Sequence, residues 1–266
     1  MNELPANTQG LILDMDGVLW ADSQALIDLP ATFARFKQLR LGVTLATNNG
    51  TRTVDQYVEK LAGFGVQIEP WQVLTSALGV AELVARRFPP GTPLFVIGGS
   101  GVYAALRAKD FDLLPVEQAQ RAEAVVFGID RAISFEKMVE ATLLVRAGRP
   151  FYATNTDRTF PTPRGQIPGA GSWLSVITTA SERQPEVAGK PSPTILQMAL
   201  ERLGTPREQT FVVGDRLETD IAGGQALGCP TALVLTGVST QAQGLAWQPK
   251  IDRIASSLAA LVGLTD

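Results

Sequence analysis

The chain of 266 residues contains no histidine. That absence removes Ser-His-Asp and Cys-His nucleophile systems and every zinc site built on imidazole. Acid–base chemistry therefore falls to carboxylates, lysine, tyrosine or cysteine. Cysteine is scarce as well: Cys229 stands alone, so no internal disulfide can form, which suits a reducing compartment. Its setting in the apolar run GCPTALVL reads as a buried core thiol. Basic charge is not in excess, since 23 Lys and Arg against 26 Asp and Glu leave a net charge of -3. That balance gives no footprint for nucleic acid or anionic lipid. No run of about 18 apolar residues offers a membrane span. The opening MNELPANTQG lacks the positive region of a signal peptide, and a cytoplasmic address is expected.

What is present is an ordinary globular balance, 45% hydrophobic and 18% charged, with length for one large domain or two modest ones. Short runs rich in Val, Ile, Leu and Phe end in Gly, Asn or Asp: 11–17, 42–49, 93–99, 122–130, 149–155, 210–215 and 230–237. Helical patterns follow near 25–39, 54–64, 76–87, 134–147, 192–203 and 218–227, with LLVRAG and ALERLG closing on glycine. Continuous apolar strands alternating with helices predict an α/β fold with doubly wound parallel sheets. Such sheets bind ligands at the carboxyl ends of their strands. Asp14, Thr47 and Asp215 all follow apolar strands, so they converge if those strands share a sheet.

Taken singly, each motif is ambiguous. Asp14-Met15-Asp16-Gly17 could be an acidic turn, a cap or a metal loop, although its Gly17 comes too early for an EF-hand. Thr47-Asn48-Asn49-Gly50 could be a simple turn or a strand-end cradle of hydroxyl, amide and N–H groups for phosphate oxygens. Lys190, in VAGKPSP, could be a solvated lysine or a fixed positive charge. Asp215 and Asp220, in VVGDRLETDIAGG, could cap a helix or hold Mg²⁺. The segment 155–172 carries three prolines and three glycines; it is expected to be a loop, neither helix nor central strand. Gly99-Ser100-Gly101-Val102-Tyr103-Ala104 matches the dinucleotide fingerprint G-x-G-x-x-A, but the acidic residue about 20 positions on is missing. A helix start is the better reading there.

In this chain order the motifs LILDMDGVL, TLATNN, GKP and VGDRLETD resemble those of the haloacid dehalogenase (HAD) superfamily. TNTDRTFPTPRGQIPGAGS and LVLTGVST extend the likeness to subfamily IIA, the 4-nitrophenylphosphatase and NagD-like phosphatases. The resemblance covers essentially the whole chain. It implies a Rossmann-like core formed by 1–76 and 185–266, with an inserted α/β cap of the C2 type at 77–184 that selects substrate.

The resemblance also implies Mg²⁺-dependent hydrolysis of a small phosphorylated metabolite. Asp14 would be the nucleophile, forming an aspartyl-phosphate, and Asp16 the acid and base, partly protonated when substrate is bound. Lys190 would neutralise charge, while Thr47, Asn48 and Asn49 hold the phosphoryl group. The metal ligands would be Asp14, the backbone carbonyl of Asp16 and Asp215, with Asp220 in the outer shell holding a metal-bound water or orienting Lys190. Asn155 and Asp157 are expected to meet the alcohol part of the substrate, and the cap offers a surface through which two subunits could pair. A phosphotransferase or mutase on the same scaffold, or a receiver-like phosphoacceptor, are the alternatives; Asp16 and the long insert argue against the latter.

Overall fold

The structure is a computed structural model that describes residues 3–162 and 164–265. Pro163, inside the segment expected to be a loop, lies outside the described residues. The chain divides into two compact units. The first comprises the residues up to Thr47, Asp55–Leu74 and those from Lys190 on; the second comprises Asn48–Val54 and Thr75–Gly189. The boundaries thus fall at 74/75 and 189/190, where the sequence suggested 76/77 and 184/185. The short excursion at 48–54 has no signature in composition.

The first unit is built on a six-stranded sheet in the order Arg253–Ala255, Thr231–Val234, Thr210–Gly214, Gly10–Leu13, Gly42–Thr47, Val73–Thr75. Gly10–Leu13 pairs in parallel with both Thr210–Gly214 and Gly42–Thr47. The chain therefore moves outward from Gly10–Leu13 on one side, then returns to its other side. That reversal is a topological switch point, and the residues just beyond its two central strands are Asp14 and Asp215. Leu11, Ile12 and Leu13 are fully buried, each contributing about 1.5–3 kcal/mol of burial. Helix Pro193–Leu203 packs Ile195, Leu196, Ala199 and Leu200 against Ile12, Ala46, Val212 and Cys229. Cys229 is the buried core thiol its context suggested.

The second unit holds a five-stranded parallel sheet ordered Glu186–Val187, Phe151–Ala153, Ala124–Phe127, Pro93–Ile97, Asp112–Leu114. Its strands show why unbroken apolar runs signal such sheets. Leu94, Val96 and Val126 enter one core with helices Ser76–Ala85 and Ser100–Arg107. Phe95, Ile97, Val125 and Phe127 enter another with helices Phe135–Arg146 and Ala170–Ser181. Both faces are covered, so both sets of alternating positions must be apolar.

Three local expectations change. The helix expected at 25–39 begins at Leu29, because Asp28 caps it through the Ala31 N–H at 2.9 Å and Gln24–Ala25 pairs with Trp20–Ala21 in a small hairpin. The 218–227 helix is a π-turn, Leu217–Ile221, running into an α-helix, Ala222–Leu227. The segment expected to be a loop forms an antiparallel hairpin, Thr159–Thr162 with Gly165–Pro168, then starts helix Ala170–Ser181. The hairpin is a separate two-stranded sheet, where prolines at edge positions cost no ladder bond. Among the described residues no helix is long and apolar enough to cross a membrane.

Candidate active site

Four of the residues singled out above come together in the first unit. Asp14 follows strand Gly10–Leu13, and its N–H donates to the Val213 carbonyl at 2.9 Å. Lys190 opens the final segment of the unit and is buried. Its Nζ lies 2.6 Å from Asp14 Oδ1 and 2.7 Å from Asp220 Oδ1, and it donates to the Ala46 carbonyl at 2.6 Å. Those contacts match the three donors of an ammonium group. One side chain thus ties the strand ends at 14 and 46 to the π-turn that carries Asp220.

Asp215 is seated by the segment after strand Thr231–Val234. Its Oδ2 accepts from the Val238 N–H at 2.8 Å, and its backbone carbonyl accepts from the Ser239 N–H at 3.0 Å. Gly237 is required by this seat, since a Cβ there would stand 2.0 Å from Asp215 Oδ2. Gly17 faces the same carboxylate with φ +89°, and a Cβ there would come within 2.6 Å. Thr236 Oγ1 donates to the Gly17 carbonyl at 2.6 Å and so joins the two glycine segments. Asp220 presses against Gly214, where even a methyl group would overlap its carboxylate. Its Oδ2 accepts from the Arg216 N–H at 3.1 Å. A π-turn at this place is a device that recurs at functional sites, re-aiming one side chain within a helix.

Asp14, Asp215 and Asp220 offer carboxylate oxygens that all lie within 4.8 Å of one another. Burial pushes the Asp14 carboxyl well above the usual carboxylate range, with Asp220 and Asp215 adding to the rise and Lys190 opposing it. Burial, then Asp220, pushes Asp215 up to about 6. For Lys190, burial works against the charge, but Asp14 and Asp220 outweigh it and hold its pKa above the ordinary lysine value.

The donor set fits a hard divalent cation. Asp215 Oδ1 is buried with no hydrogen-bond partner among the described residues, while its other oxygen is already held. Asp220 Oδ1 is likewise buried with no hydrogen-bond partner among the described residues, though it forms an ion pair with Lys190 at 2.7 Å, and its Oδ2 accepts from the Arg216 N–H. Asp14, Asp215 and Asp220 are thus the carboxylates placed where they could hold a cation.

Asp16 stands apart from the three-acid group. Its Oδ1 accepts from Trp20 Nε1 at 2.9 Å. Trp20 is fully buried, stacked on Phe64 with ring centroids 5.9 Å apart and with Lys60 Nζ 3.9 Å above its ring. A rigid indole therefore orients the half-buried carboxylate. The role of Trp20 had no sequence signal beyond its closeness to the D-x-D pair.

The remaining predicted residues sit in two ways. Thr47 ends strand Gly42–Thr47 and is buried. Asn48, Asn155 and Asp157 form a bonded group inside the second unit: Asn155 Nδ2 donates to the Asn48 carbonyl at 2.7 Å, and Asn48 Nδ2 to Asp157. Asn49 closes a local turn, its Oδ1 accepting from the Thr51 N–H at 3.1 Å and the Thr51 hydroxyl at 2.6 Å. The fingerprint-like glycines have a packing role. Gly99 starts helix Ser100–Arg107, but a Cβ at Gly101 would meet the carbonyls of Arg52 and Gly50 at 2.3 and 2.5 Å. The Gly101 N–H and the Ser100 hydroxyl both donate to the Thr51 carbonyl, which takes the place a pyrophosphate would need.

The chain is similar to known proteins over most of its length. Residues 11–112 match the family model of haloacid dehalogenase-like hydrolases, and residues 187–261 match a second, HAD-hydrolase-like model. An acid sugar phosphatase of Staphylococcus aureus is 35% identical over 230 residues, which is 86% of this chain and 87% of the relative. Glycerol phosphate phosphatase from Mycobacterium tuberculosis, solved in complex with magnesium, superposes with a TM-score of 0.89 at 31% identity, covering 97% of this chain and 77% of the other. NagD from E. coli K-12 superposes with a TM-score of 0.86 at 30% identity, over 95% of this chain and 97% of that one. The chain belongs to the haloacid dehalogenase-like hydrolases, within their NagD-like branch of phosphoric monoester hydrolases. Its α/β architecture of parallel sheets and helices is that of these phosphatases.

Proposed function

We propose that this phosphatase hydrolyses small sugar or polyol phosphates with Mg²⁺, through an aspartyl-phosphate on Asp14. The observation that carries the reading is Lys190 bonded to both Asp14 and Asp220 beside the unpartnered oxygen of Asp215. The substrate class follows the names of two relatives, an acid sugar phosphatase and a glycerol phosphate phosphatase.

A phosphate dianion repels a carboxylate, so positive charge must be in place before attack. Lys190 supplies one fixed charge 2.6 Å from Asp14. Asp14, the Asp16 backbone carbonyl and Asp215 would hold Mg²⁺, which would supply the rest as a Lewis acid. With its charge balanced in this way, an Asp14 carboxylate oxygen attacks phosphorus and the bond to the leaving oxygen breaks. Asp16, oriented by Trp20, gives its proton to that oxygen, and the alcohol departs. The resulting Asp16 carboxylate then takes a proton from water as the water oxygen attacks the phosphorus of the aspartyl-phosphate. The Asp14–phosphorus bond breaks, inorganic phosphate is released, and both acids return to their starting states.

Thr47, with Asn48 and Asn49 next in the chain, donates hydrogen bonds to the phosphoryl oxygens as their charge grows. Asp220 orients Lys190 through their ion pair at 2.7 Å, and is itself held by the Arg216 N–H on Oδ2. The test is phosphate release from a panel of sugar, polyol and nucleoside monophosphates with Mg²⁺ and with EDTA. Release that EDTA abolishes supports the reading; release from no ester overturns it, as does equal release in EDTA for the metal requirement. Transfer of the phosphoryl group to an added alcohol would instead make the chain a phosphotransferase.

A further inference from the structure

Asn48 is held at its backbone carbonyl and at its side-chain nitrogen. The Ser76 hydroxyl donates to its backbone carbonyl at 2.5 Å and Asn155 Nδ2 donates to the same oxygen at 2.7 Å. Its side-chain Nδ2 donates to Asp157 at 3.2 and 3.3 Å, to the two carboxylate oxygens. Asp157 in turn gives its own N–H to Asn155 Oδ1 at 3.0 Å, which closes a ring of bonds through residues 48, 155 and 157. Gly189 completes the enclosure, because a Cβ there would stand 2.6 Å from Asn48 Oδ1 and 2.5 Å from the Thr154 carbonyl. Asn48, Ser76 and Asn155 are all buried.

Two consequences follow from elementary geometry. A carbonyl whose two lone pairs are both taken cannot rotate, and the 48–49 peptide is trans and planar, so the N–H of Asn49 is fixed in the opposite direction. An amide whose nitrogen is tied to a carboxylate keeps one orientation. Donors held this way need no reorganisation when charge develops on a bound anion.

We propose that Asn155 and Asp157 are positioning residues for phosphate binding, acting by fixing Asn48 and the peptide after it rather than by meeting the alcohol part of the substrate. The inference rests on the reading of Asn48 as a phosphate donor, which the experiment tests separately. Loss of a supporting partner of this kind costs about 10–100-fold, less than loss of a transition-state donor itself.

The experiment measures kcat and KM for Asn48→Ala, Asp157→Ala, Asp157→Asn and the Asn48→Ala/Asp157→Ala double variant, over several sugar and polyol phosphates and 4-nitrophenyl phosphate. Inhibition by inorganic phosphate and Tm are followed in parallel. Asp157→Ala is expected to lower kcat about 10-fold or more by the same factor for every ester, leaving their ranking intact. Asp157→Asn keeps an acceptor oxygen for Asn48 Nδ2 and is expected to restore most of the loss, at unchanged Tm. In the Asn48→Ala background, Asp157→Ala is expected to add nothing, since the two act as one unit. A re-ordered ester panel, or effects that multiply in the double variant, would overturn the positioning role while leaving Asn48 a donor. If Asn48→Ala itself leaves kcat and phosphate inhibition unchanged, the donor reading fails and the inference falls with it.

Discussion

Lys190 Nζ and Asp14 Oδ1 stand 2.6 Å apart although 176 positions separate them in the chain. Lys190 is buried and Asp14 half-buried, and Asp220 lies on the same ammonium group at 2.7 Å. Removing Lys190 therefore does more than delete a bond, since it leaves two neighbouring carboxylates without their compensating charge, whereas Lys190 without Asp14 still has Asp220.

For Asp14 the consequence is chemical. Asp14→Asn is expected to bring hydrolysis of 4-nitrophenyl phosphate below detection while circular dichroism and Tm stay close to those of the native chain. Measurable multiple turnover by this variant would remove Asp14 as nucleophile.

For Lys190 the consequence is also structural. Lys190→Ala is expected to abolish turnover and, at neutral pH, to destabilise the metal-free protein by about 3–5 kcal/mol. Urea denaturation reads this directly. The loss should shrink at lower pH, where Asp14 takes up a proton and the uncompensated charge disappears.

Metal affinity should depend on pH through Asp215. Its folded pKa, about 6, lies above its ordinary value of 3.8. In metal-free protein this raised value makes stability fall as pH rises between those two values, because the folded chain holds a proton that the unfolded chain has released. A cation needs the ionised carboxylate, so the rise in Tm on adding Mg²⁺ should be small near about pH 5 and larger near about pH 7.5. An equal rise at both would contradict Asp215 as a ligand.

Gly237 tests the seat of that carboxylate. A Cβ 2.0 Å from Asp215 Oδ2 cannot be accommodated without moving the acid. Gly237→Ala is expected to weaken Mg²⁺ binding about 10–100-fold, read by titration of the thermal shift, with a lesser change in the Tm of the metal-free protein.

Cys229 is expected to be inert. Burial pushes its thiol up to about 11, so a thiol-reactive dye at neutral pH should label the unfolded chain rapidly and the native chain hardly at all.

The sequence by itself carried much of this. Apolar strands ending in Asp14, Thr47 and Asp215 announced a parallel sheet, because strands buried on both faces leave no room for polar alternation. The absence of histidine pointed the acid–base chemistry to a carboxyl. Asp14, Thr47 and Asp215 are each a definite side chain at the end of an apolar run, and such residues can be read one by one.

What only the tertiary structure decided is which neighbours hold them. Trp20 beneath Asp16, Gly237 and Val238 around Asp215, Gly214 beneath Asp220, and Ser76 on the Asn48 carbonyl are ordinary residues in ordinary positions. Their roles arise from distances of a few ångströms, whether the partners are four positions apart, as Trp20 and Asp16 are, or 28, as Ser76 and Asn48 are. The same is true of Asn155 and Asp157: their place in the sequence suggested a substrate contact, and their hydrogen bonds run to Asn48. A side chain's chemistry is fixed by its covalent structure, whereas its partner is fixed by how the sheets and helices pack.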